Sequence, residues 1–165
     1  MLDDTTNLIS LLKDPTLLVT KGYLAGDWVD GEGGAVFDVR NPARGDVIAQ
    51  VSDFNRAQAK KAIEAAEKAQ KDWAVFTAGE RSVILRRWFD LMIQNADDLA
   101  IILTAEQGKP LPEAKGEISY GASFIEFFAE EAKRIYGETI PGHQRDKRIA
   151  VLKQPIGVAA SITPW

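Results

Sequence analysis

The chain has 165 residues with 45% apolar and 27% charged side chains, a composition typical of one globular domain and not of a disordered segment. A formal charge of −4 and a pI near 5.1 argue against a nucleic-acid partner. With no cysteine and a single histidine, these residues offer no disulfide, no cysteine nucleophile, no catalytic triad and no predicted metal site.

The first 20 residues are predicted to be a short amphipathic lead-in that Pro15 interrupts. Asp3 and Asp4 come early and no sustained apolar run follows, which is unlike a signal peptide. No stretch has the length and apolar character of a membrane span. We therefore expect a cytoplasmic protein with no membrane partner.

Three short strands are predicted next, over Gly22–Val29, Ala35–Val39 and Val47–Val51. The glycine-rich residues 31–34 between the first two favour a hairpin loop. A phosphate-binding glycine loop would have to follow a strand and open a helix, whereas this loop opens a strand.

Helical spacing dominates from residue 55 to residue 108. Asn55 with Gln58, and Thr77 with Glu80, have the spacing of capping boxes, so each pair predicts a helix start. A third helix is predicted from Asn95 until Gly108 ends it. The tryptophans at 28, 73 and 88 fall in strand or helix patterns and are predicted to be core residues.

A long helix is predicted over Leu111–Tyr136, with apolar residues on more than one side. One stripe holds Ile118, Ala122, Ile125 and Ala129, and another holds Tyr120, Phe124 and Phe127. A helix of this kind is expected to be buried between two layers. It is also the best candidate in the chain for lining an internal channel.

Two further strands are predicted near the end of the sequence. Residues 146–154 alternate in a way that suits an edge strand. Residues 158–162 form a short apolar run typical of a buried parallel strand, whose carboxyl end is where α/β proteins bind cofactors and substrates. Because the sequence stops there, we expect it to be the front portion of a longer protein and to be inactive alone.

These residues resemble the aldehyde dehydrogenase superfamily. Residues 153–165 resemble the segment that leads into its proline–tryptophan–asparagine motif, and further matches include Asn41-Pro42 with Gly45, Arg81, and residues 106–111. Residues 116–141 are similar to the succinate-semialdehyde dehydrogenase branch in particular. The resemblance implies an α/β fold: the N-terminal part of an aldehyde dehydrogenase, with short strands, a helical layer and the start of the Rossmann-like cofactor sheet.

The resemblance also implies roles and boundaries. Ile162, Thr163, Pro164 and Trp165 match the segment that floors the cleft for NAD or NADP, while Tyr120 and Phe124 lie on the helix bordering the tunnel for a small-molecule aldehyde. The implied organisation is a lead-in at 1–20, the N-terminal part of the cofactor-binding domain at 21–140, a strand of the oligomerisation arm at 141–157 and the first strand of the Rossmann-like sheet at 158–165. A homo-oligomer, dimer or tetramer, is implied for the parent enzyme.

The family's activity implies oxidation of succinate semialdehyde to succinate, with a cysteine nucleophile, a motif asparagine and a glutamate general base. None of these catalytic residues falls within this sequence. Glutarate semialdehyde is the nearest rival substrate. A non-catalytic module that binds a nucleotide or a partner subunit is the alternative from a different class.

Overall fold

The computed structural model of the protein describes residues 8–163, which form five α-helices and six short β-strands. The helices are α1 (Leu8–Leu11), α2 (Arg56–Val75), α3 (Ala78–Gln94), α4 (Ala96–Gln107) and α5 (Leu111–Glu131). The strands are β1 (Gly22–Leu24), β2 (Asp27–Val29), β3 (Val36–Arg40), β4 (Val47–Ser52), β5 (Glu138–Pro141) and β6 (Arg148–Val151). Short 3₁₀ helices cover Pro15–Leu17, Glu32–Gly34 and Ala132–Arg134.

The six strands pair as three separate antiparallel hairpins, β1 with β2, β3 with β4, and β5 with β6. The prediction of a single strand over Gly22–Val29 is wrong, because the chain reverses at Ala25 and Gly26, which both have positive φ. The predicted hairpin across residues 31–34 is wrong as well. Those residues include a 3₁₀ turn, with Gly33 at φ 68° and Gly34 at φ 78°, and β3 pairs with β4.

Both capping boxes are confirmed. The Asn55 side chain accepts a hydrogen bond from the Gln58 backbone N–H at 3.0 Å, and the Thr77 hydroxyl accepts one from the Glu80 backbone N–H at 3.3 Å. Each cap satisfies a backbone donor that the first turn leaves without a helical partner. These local signals fix where α2 and α3 begin.

The helical layer of α3, α4 and α5 is held together by small side chains. Apart from Asp98, the buried positions of these three helices are alanines on α4 and α5 and one serine on α3: Ala100, Ala105, Ala114, Ala122, Ala129 and Ser82. No large side chain among the described residues is fully buried. The small residues let the helix backbones approach closely, but they leave most of the bulky apolar side chains outside this core.

Several aromatic predictions are therefore wrong. Trp28, Trp73 and Trp88 are exposed, although their strand and helix patterns predicted core positions. The long helix is also exposed on its aromatic side and is not enclosed between two layers. Periodicity identified the apolar stripes correctly, but in this structure only the alanine-bearing stripe is covered.

The C-terminal part differs from the prediction in two places. The predicted strand over residues 146–154 is present only as β6, paired with β5, a strand that the sequence did not predict. Residues 152–163 are neither helix nor strand, so the predicted strand at 158–162 does not form here. A strand needs hydrogen-bonding neighbours, and among residues 8–163 no strand pairs with this segment.

The lead-in is anchored to the first turn of α4. The Asp98 carboxylate, 3% exposed, accepts hydrogen bonds from the backbone N–H groups of Lys13 at 3.0 Å and Asp14 at 2.8 Å. Leu12 is buried beside them. A carboxylate at this place also interacts favourably with the helix N-terminus.

We predict that Asp98→Ala destabilises the chain by about 2 kcal/mol, since two backbone N–H groups lose a charged acceptor. Urea unfolding measures the change in the free energy of unfolding. Hydrogen exchange of the Lys13 and Asp14 backbone amides should become faster in the Asp98→Ala chain. Asp97→Asn is the matched control, because its carboxylate is exposed and its ion pairs are screened. Equal effects of the two substitutions would contradict the anchoring role.

We predict that the ion pairs of the neighbouring carboxylate, Asp97, make an acid-sensitive contribution to the stability of the fold. Hydrogen bonds from Lys115, at 2.7 Å, and Lys13, at 2.9 Å, lower the pKa of Asp97 from 3.8 to about 2. Because the folded-state pKa is depressed, the contribution is present above the unfolded pKa of 3.8 and is lost as the pH falls toward 2. A carboxyl-carbon NMR titration should show the low midpoint, and Lys115→Gln should move it upward. A midpoint near 3.8 in the unmodified chain would show that these ion pairs do not persist in solution.

Candidate functional site

The junction between α4 and α5 sets the direction of α5. Gly108 ends α4 in the left-handed conformation, with φ 80°, and lies against Pro42 so closely that a Cβ there would meet the proline ring at 2.8 Å. Lys109 forms an ion pair with Glu117, eight residues further along in the second turn of α5, and Pro112 occupies the first turn of that helix. These contacts give a physical reason for both the Asn41-Pro42 and the Gly108 motif residues.

The loop that carries Pro42 is itself fixed by Asn41. The Asn41 side chain, which is buried, accepts a hydrogen bond from the Ala43 backbone N–H at 2.9 Å. Its own backbone N–H donates to the Asp46 carbonyl oxygen at 2.9 Å. Across the junction, burial raises the pKa of the Glu106 carboxyl. The motif residues thus build a rigid corner from which α5 departs.

One side of α5 carries Tyr120 and Phe124, which are predicted to border a substrate tunnel, together with Phe127 of the same stripe. Tyr120, Phe124 and Phe127 share a helical face with the spacing i, i+4, i+7 and are 65%, 46% and 56% exposed. The rings of Tyr120 and Phe124 meet edge to face, with centroids 4.8 Å apart. We call these three residues the aromatic face of α5.

The opposite side of α5 is the packed one. Ala114, Ala122 and Ala129 are buried there against the helical layer. Arg86 of α3 reaches Glu126 with a 2.8 Å ion pair, which helps to fix α5 along α3. The aromatic face is therefore held rigidly without contributing to the core.

Several cations on or beside α5 are paired with carboxylates. Lys115 contacts Asp97, Arg86 contacts Glu126 and Lys109 contacts Glu117. Arg134 contacts Glu131 at 2.7 Å. The aromatic face can thus supply apolar contact and ring edges, but it has no cation of its own for an anionic ligand.

The predicted cofactor segment lies apart from the aromatic face. Ile162 is 97% exposed and Thr163 is exposed, both in the segment without regular structure, whereas Pro164 and Trp165 lie outside the described residues. The structure thus brings Tyr120 and Phe124 together but does not bring Ile162 and Thr163 into contact with them. Ile162 touches almost nothing at that exposure.

The sequence did not predict a groove at the end of α2. Trp73 and Phe76 form its wall, with ring centroids 5.6 Å apart, and Val158 and Ala159 lie across it. The only sequence signal was the apolar spacing of α2, which predicted a core contact and could not identify its partner. At this groove the C-terminal segment lies against α2.

Residues 8–163 contain neither a membrane-spanning helix nor a cluster of metal-binding side chains. Among them, no helix has the length and hydropathy needed to cross a membrane. The same range contains no cluster of three or more histidine, cysteine, aspartate or glutamate side chains suited to a metal ion.

Comparison with known proteins gives consistent matches. The chain is 61% identical over 154 residues to a glutarate-semialdehyde dehydrogenase of Pseudomonas putida and 56% identical over 154 residues to a succinate-semialdehyde dehydrogenase (NADP(+)) of Escherichia coli. Each alignment covers 93% of this chain and 32% of the relative, so the chain spans about a third of their length.

Solved structures agree on the fold. The crystal structure of succinate-semialdehyde dehydrogenase from Burkholderia pseudomallei superposes with a TM-score of 0.85 at 54% identity, covering 88% of this chain and 30% of that one. This confirms the predicted fold class, the N-terminal part of an aldehyde dehydrogenase fold. The sequence model of the aldehyde dehydrogenase family matches residues 28–165, which is most of the chain. The protein therefore belongs to the aldehyde dehydrogenase family.

Proposed function

We propose that this chain is part of an enzyme that oxidises succinate semialdehyde to succinate with NAD or NADP. The supporting observation is its identity of 56% to the Escherichia coli succinate-semialdehyde dehydrogenase (NADP(+)) over nearly the whole chain. Glutarate semialdehyde is the second candidate substrate, favoured by the 61% identity to the Pseudomonas putida glutarate-semialdehyde dehydrogenase. Both candidates are short aldehydes with a distal carboxylate.

The proposed chemistry needs groups that these residues do not contain. In the family's reaction a thiolate attacks the aldehyde carbon, hydride leaves that carbon, and water hydrolyses the resulting thioester to the acid. NAD or NADP, when bound, supplies the hydride acceptor. Since the chain has no cysteine, the thiolate has to come from polypeptide outside these 165 residues. What this chain contributes is therefore positioning and shape.

Within that enzyme, we assign Tyr120 and Phe124 to the wall of the aldehyde tunnel. Their rings are fixed against each other and remain exposed, and the alanine side of α5 anchors them. Rigid aromatic walls suit the aliphatic part of a semialdehyde, because apolar contact is insensitive to small shifts. The distal carboxylate needs a cation or several donors, which the pairing of Lys115, Arg86 and Lys109 withholds from this face.

The cofactor assignment rests on the last four residues. Ile162, Thr163, Pro164 and Trp165 are proposed to floor the NAD or NADP cleft, chiefly through their backbone. The exposure of Ile162 and Thr163 leaves their backbone groups accessible for such a role. In this proposal the segment becomes a strand only when a neighbouring strand supplies hydrogen bonds.

Assembly and location are further parts of the proposal. The β5–β6 hairpin is exposed on every residue, and an exposed two-stranded hairpin is suited to pairing with another sheet edge. This supports a homo-oligomeric parent, dimer or tetramer. A cytoplasmic location is proposed from the composition alone.

The first functional prediction concerns the chain by itself. Purified residues 1–165, mixed with succinate semialdehyde and either NAD or NADP, should give no reduced nicotinamide above the blank, because the nucleophile is missing. The absorbance of the reduced nicotinamide is the readout. Steady turnover by the pure chain would refute the division of roles proposed above.

The second functional prediction concerns Phe124 in an enzyme that contains this segment. Phe124→Ala should shift the ratio of kcat/KM for succinate over glutarate semialdehyde by about tenfold, since tunnel length changes by roughly one ring. Preference for either over an uncharged aldehyde of equal length should persist. Phe37→Ala, at an equally exposed ring on β3, is the control and should change neither ratio.

The opposite outcome is equally informative. If Phe124→Ala abolished the preference for carboxylated substrates, the aromatic face would take part in carboxylate binding, and the assignment of that role to groups elsewhere would be wrong.

A further inference from the structure

Asp97, in the first turn of α4, joins the lead-in to α5. Its Oδ2 atom accepts a hydrogen bond from the Lys13 ammonium group at 2.9 Å, and its Oδ1 atom lies 2.7 Å from the Lys115 ammonium group. Each carboxylate oxygen therefore serves a different cation. The hydrogen bonds from Lys115 and Lys13 lower the pKa of the Asp97 carboxyl to about 2, so the group is charged at neutral pH. We call these three residues the Asp97 bridge.

The backbone at the lead-in end of the Asp97 bridge is held in place by other contacts. The Lys13 backbone N–H donates to the Asp98 carboxylate at 3.0 Å, and Leu12 beside it is buried. An exposed ion pair usually contributes little, because two flexible side chains have to be ordered. Here the Lys13 side chain extends from anchored backbone, and the side chains of Asp97 and Lys115 extend from helices. The bridge therefore requires less ordering than an average surface pair.

The alanine packing between α4 and α5 defines the rotation of α5 only weakly by itself. The buried residues of these two helices include Ala100, Ala105 and Ala114, whose methyl groups form shallow ridges and grooves. Large interlocking side chains would oppose rotation of a helix about its axis, but none among the described residues is fully buried. Polar contacts at the edge of the layer thus matter more for the rotation of α5 than for its stability.

Rotation of α5 moves the ring of Tyr120. Lys115 and Tyr120 are five residues apart on the same helix and lie on different sides of it. A side chain about 6 Å from a helix axis moves by about 1 Å when the helix turns by about 10°. Arg86 with Glu126 fixes the second half of α5, and Asp97 with Lys115 fixes the first half. Tyr120 lies between these two attachments in the sequence, so its place depends on both.

We propose that Asp97 is a positioning residue that links the lead-in to the tunnel wall. It holds α5 at the rotation that sets the place of Tyr120, and Lys13 of the lead-in supports it there. The inference rests on the proposed function, because Tyr120 is assigned to the tunnel wall under that proposal. Asp97 acts only through Lys115 and α5 and touches no substrate. The lead-in thereby takes part in substrate choice as well as in folding.

Asp97→Asn in an enzyme that contains this segment tests this role, and it should not unfold the chain because the ion pairs it removes are exposed. The ratio of kcat/KM for succinate over glutarate semialdehyde should fall about threefold, an effect within the range of one exposed ion pair. The ratio falls because a wall that can turn away admits the longer substrate. The change should appear in KM and not in kcat, since the wall contacts the substrate equally in the ground state and the transition state. Lys115→Gln should have the same effect, and Lys13→Gln a smaller one in the same direction.

Salt provides a readout that a purely structural role would not move. Exposed ion pairs are screened at an ionic strength of about 1 M, whereas two substrates of equal charge are affected alike. The ratio for the unmodified enzyme should therefore approach that of the Asp97→Asn enzyme as salt is added, while the latter stays constant. Glu64→Gln is the matched control, because it removes an exposed 3.7 Å ion pair with Lys60 on α2. It should leave the ratio and its salt dependence as in the unmodified enzyme.

Two results would overturn the proposal: an unchanged ratio in the Asp97→Asn enzyme, or a ratio in the unmodified enzyme that does not respond to salt. An enzyme that oxidises neither semialdehyde would instead refute the proposed function, and the bridge is then tested on the chain alone. Hydrogen exchange of the α5 backbone amides around Tyr120 should become faster with Asp97→Asn and with Lys13→Gln, while exchange in α2 stays unchanged. If Asp97→Asn leaves exchange in α5 unchanged, the positioning role is wrong irrespective of activity.

Discussion

Close approach of α3, α4 and α5 is the constraint on which the rest of the structure depends. Alanine and serine at the contacts let the backbones come together, and their burial excludes larger side chains from the layer. Every bulky apolar residue of these helices then has to lie at the rim or on the outside. The aromatic face of α5 is a consequence of that packing, since the alanines occupy the inner side.

Ion pairs and one buried carboxylate complete this layer. Arg86 with Glu126 ties α3 to α5, Lys115 with Asp97 ties α5 to α4, and Asp98 ties α4 to the lead-in. Exposed pairs of this kind each contribute little, so they act mainly on register. Asp98 differs because it is buried and serves two backbone donors at once. The layer is rigid through many weak contacts and one strong one.

Local signals in the sequence predicted the helices well. Capping boxes at Asn55 and Thr77 and the stop at Gly108 are decided within a few residues, so no tertiary information was needed. Strand pairing was predicted poorly, since the reversal at Ala25-Gly26 and the pairing of β3 with β4 depend on neighbours that periodicity does not reveal. The strand predicted at 158–162 needed a sheet that residues 8–163 do not provide.

The candidate site was also predictable only where local sequence signals decide the structure. The stripe of Tyr120 and Phe124 was readable from helical spacing, but its exposure was not, because periodicity shows that a face is apolar without showing what covers it. The groove of Trp73 and Phe76 was missed for the same reason, as its other wall comes from distant residues 158 and 159. The family roles of residues 162–165 came from resemblance, and no local pattern would have given them.

In the proposed function, the negatively charged helix α5 borders the tunnel for a carboxylated substrate, which poses an electrostatic problem. Two like charges 10 Å apart repel by roughly 1–2 kcal/mol at an effective dielectric constant near 20, and the glutamates of α5 would add to one another. The structure reduces this by pairing Glu117 with Lys109, Glu126 with Arg86 and Glu131 with Arg134. Those pairs neutralise the helix locally and engage Lys109, Arg86 and Arg134. An anionic end group near Tyr120 and Phe124 would thus be neither strongly repelled nor bound, and its affinity would have to come from donors on the opposite wall.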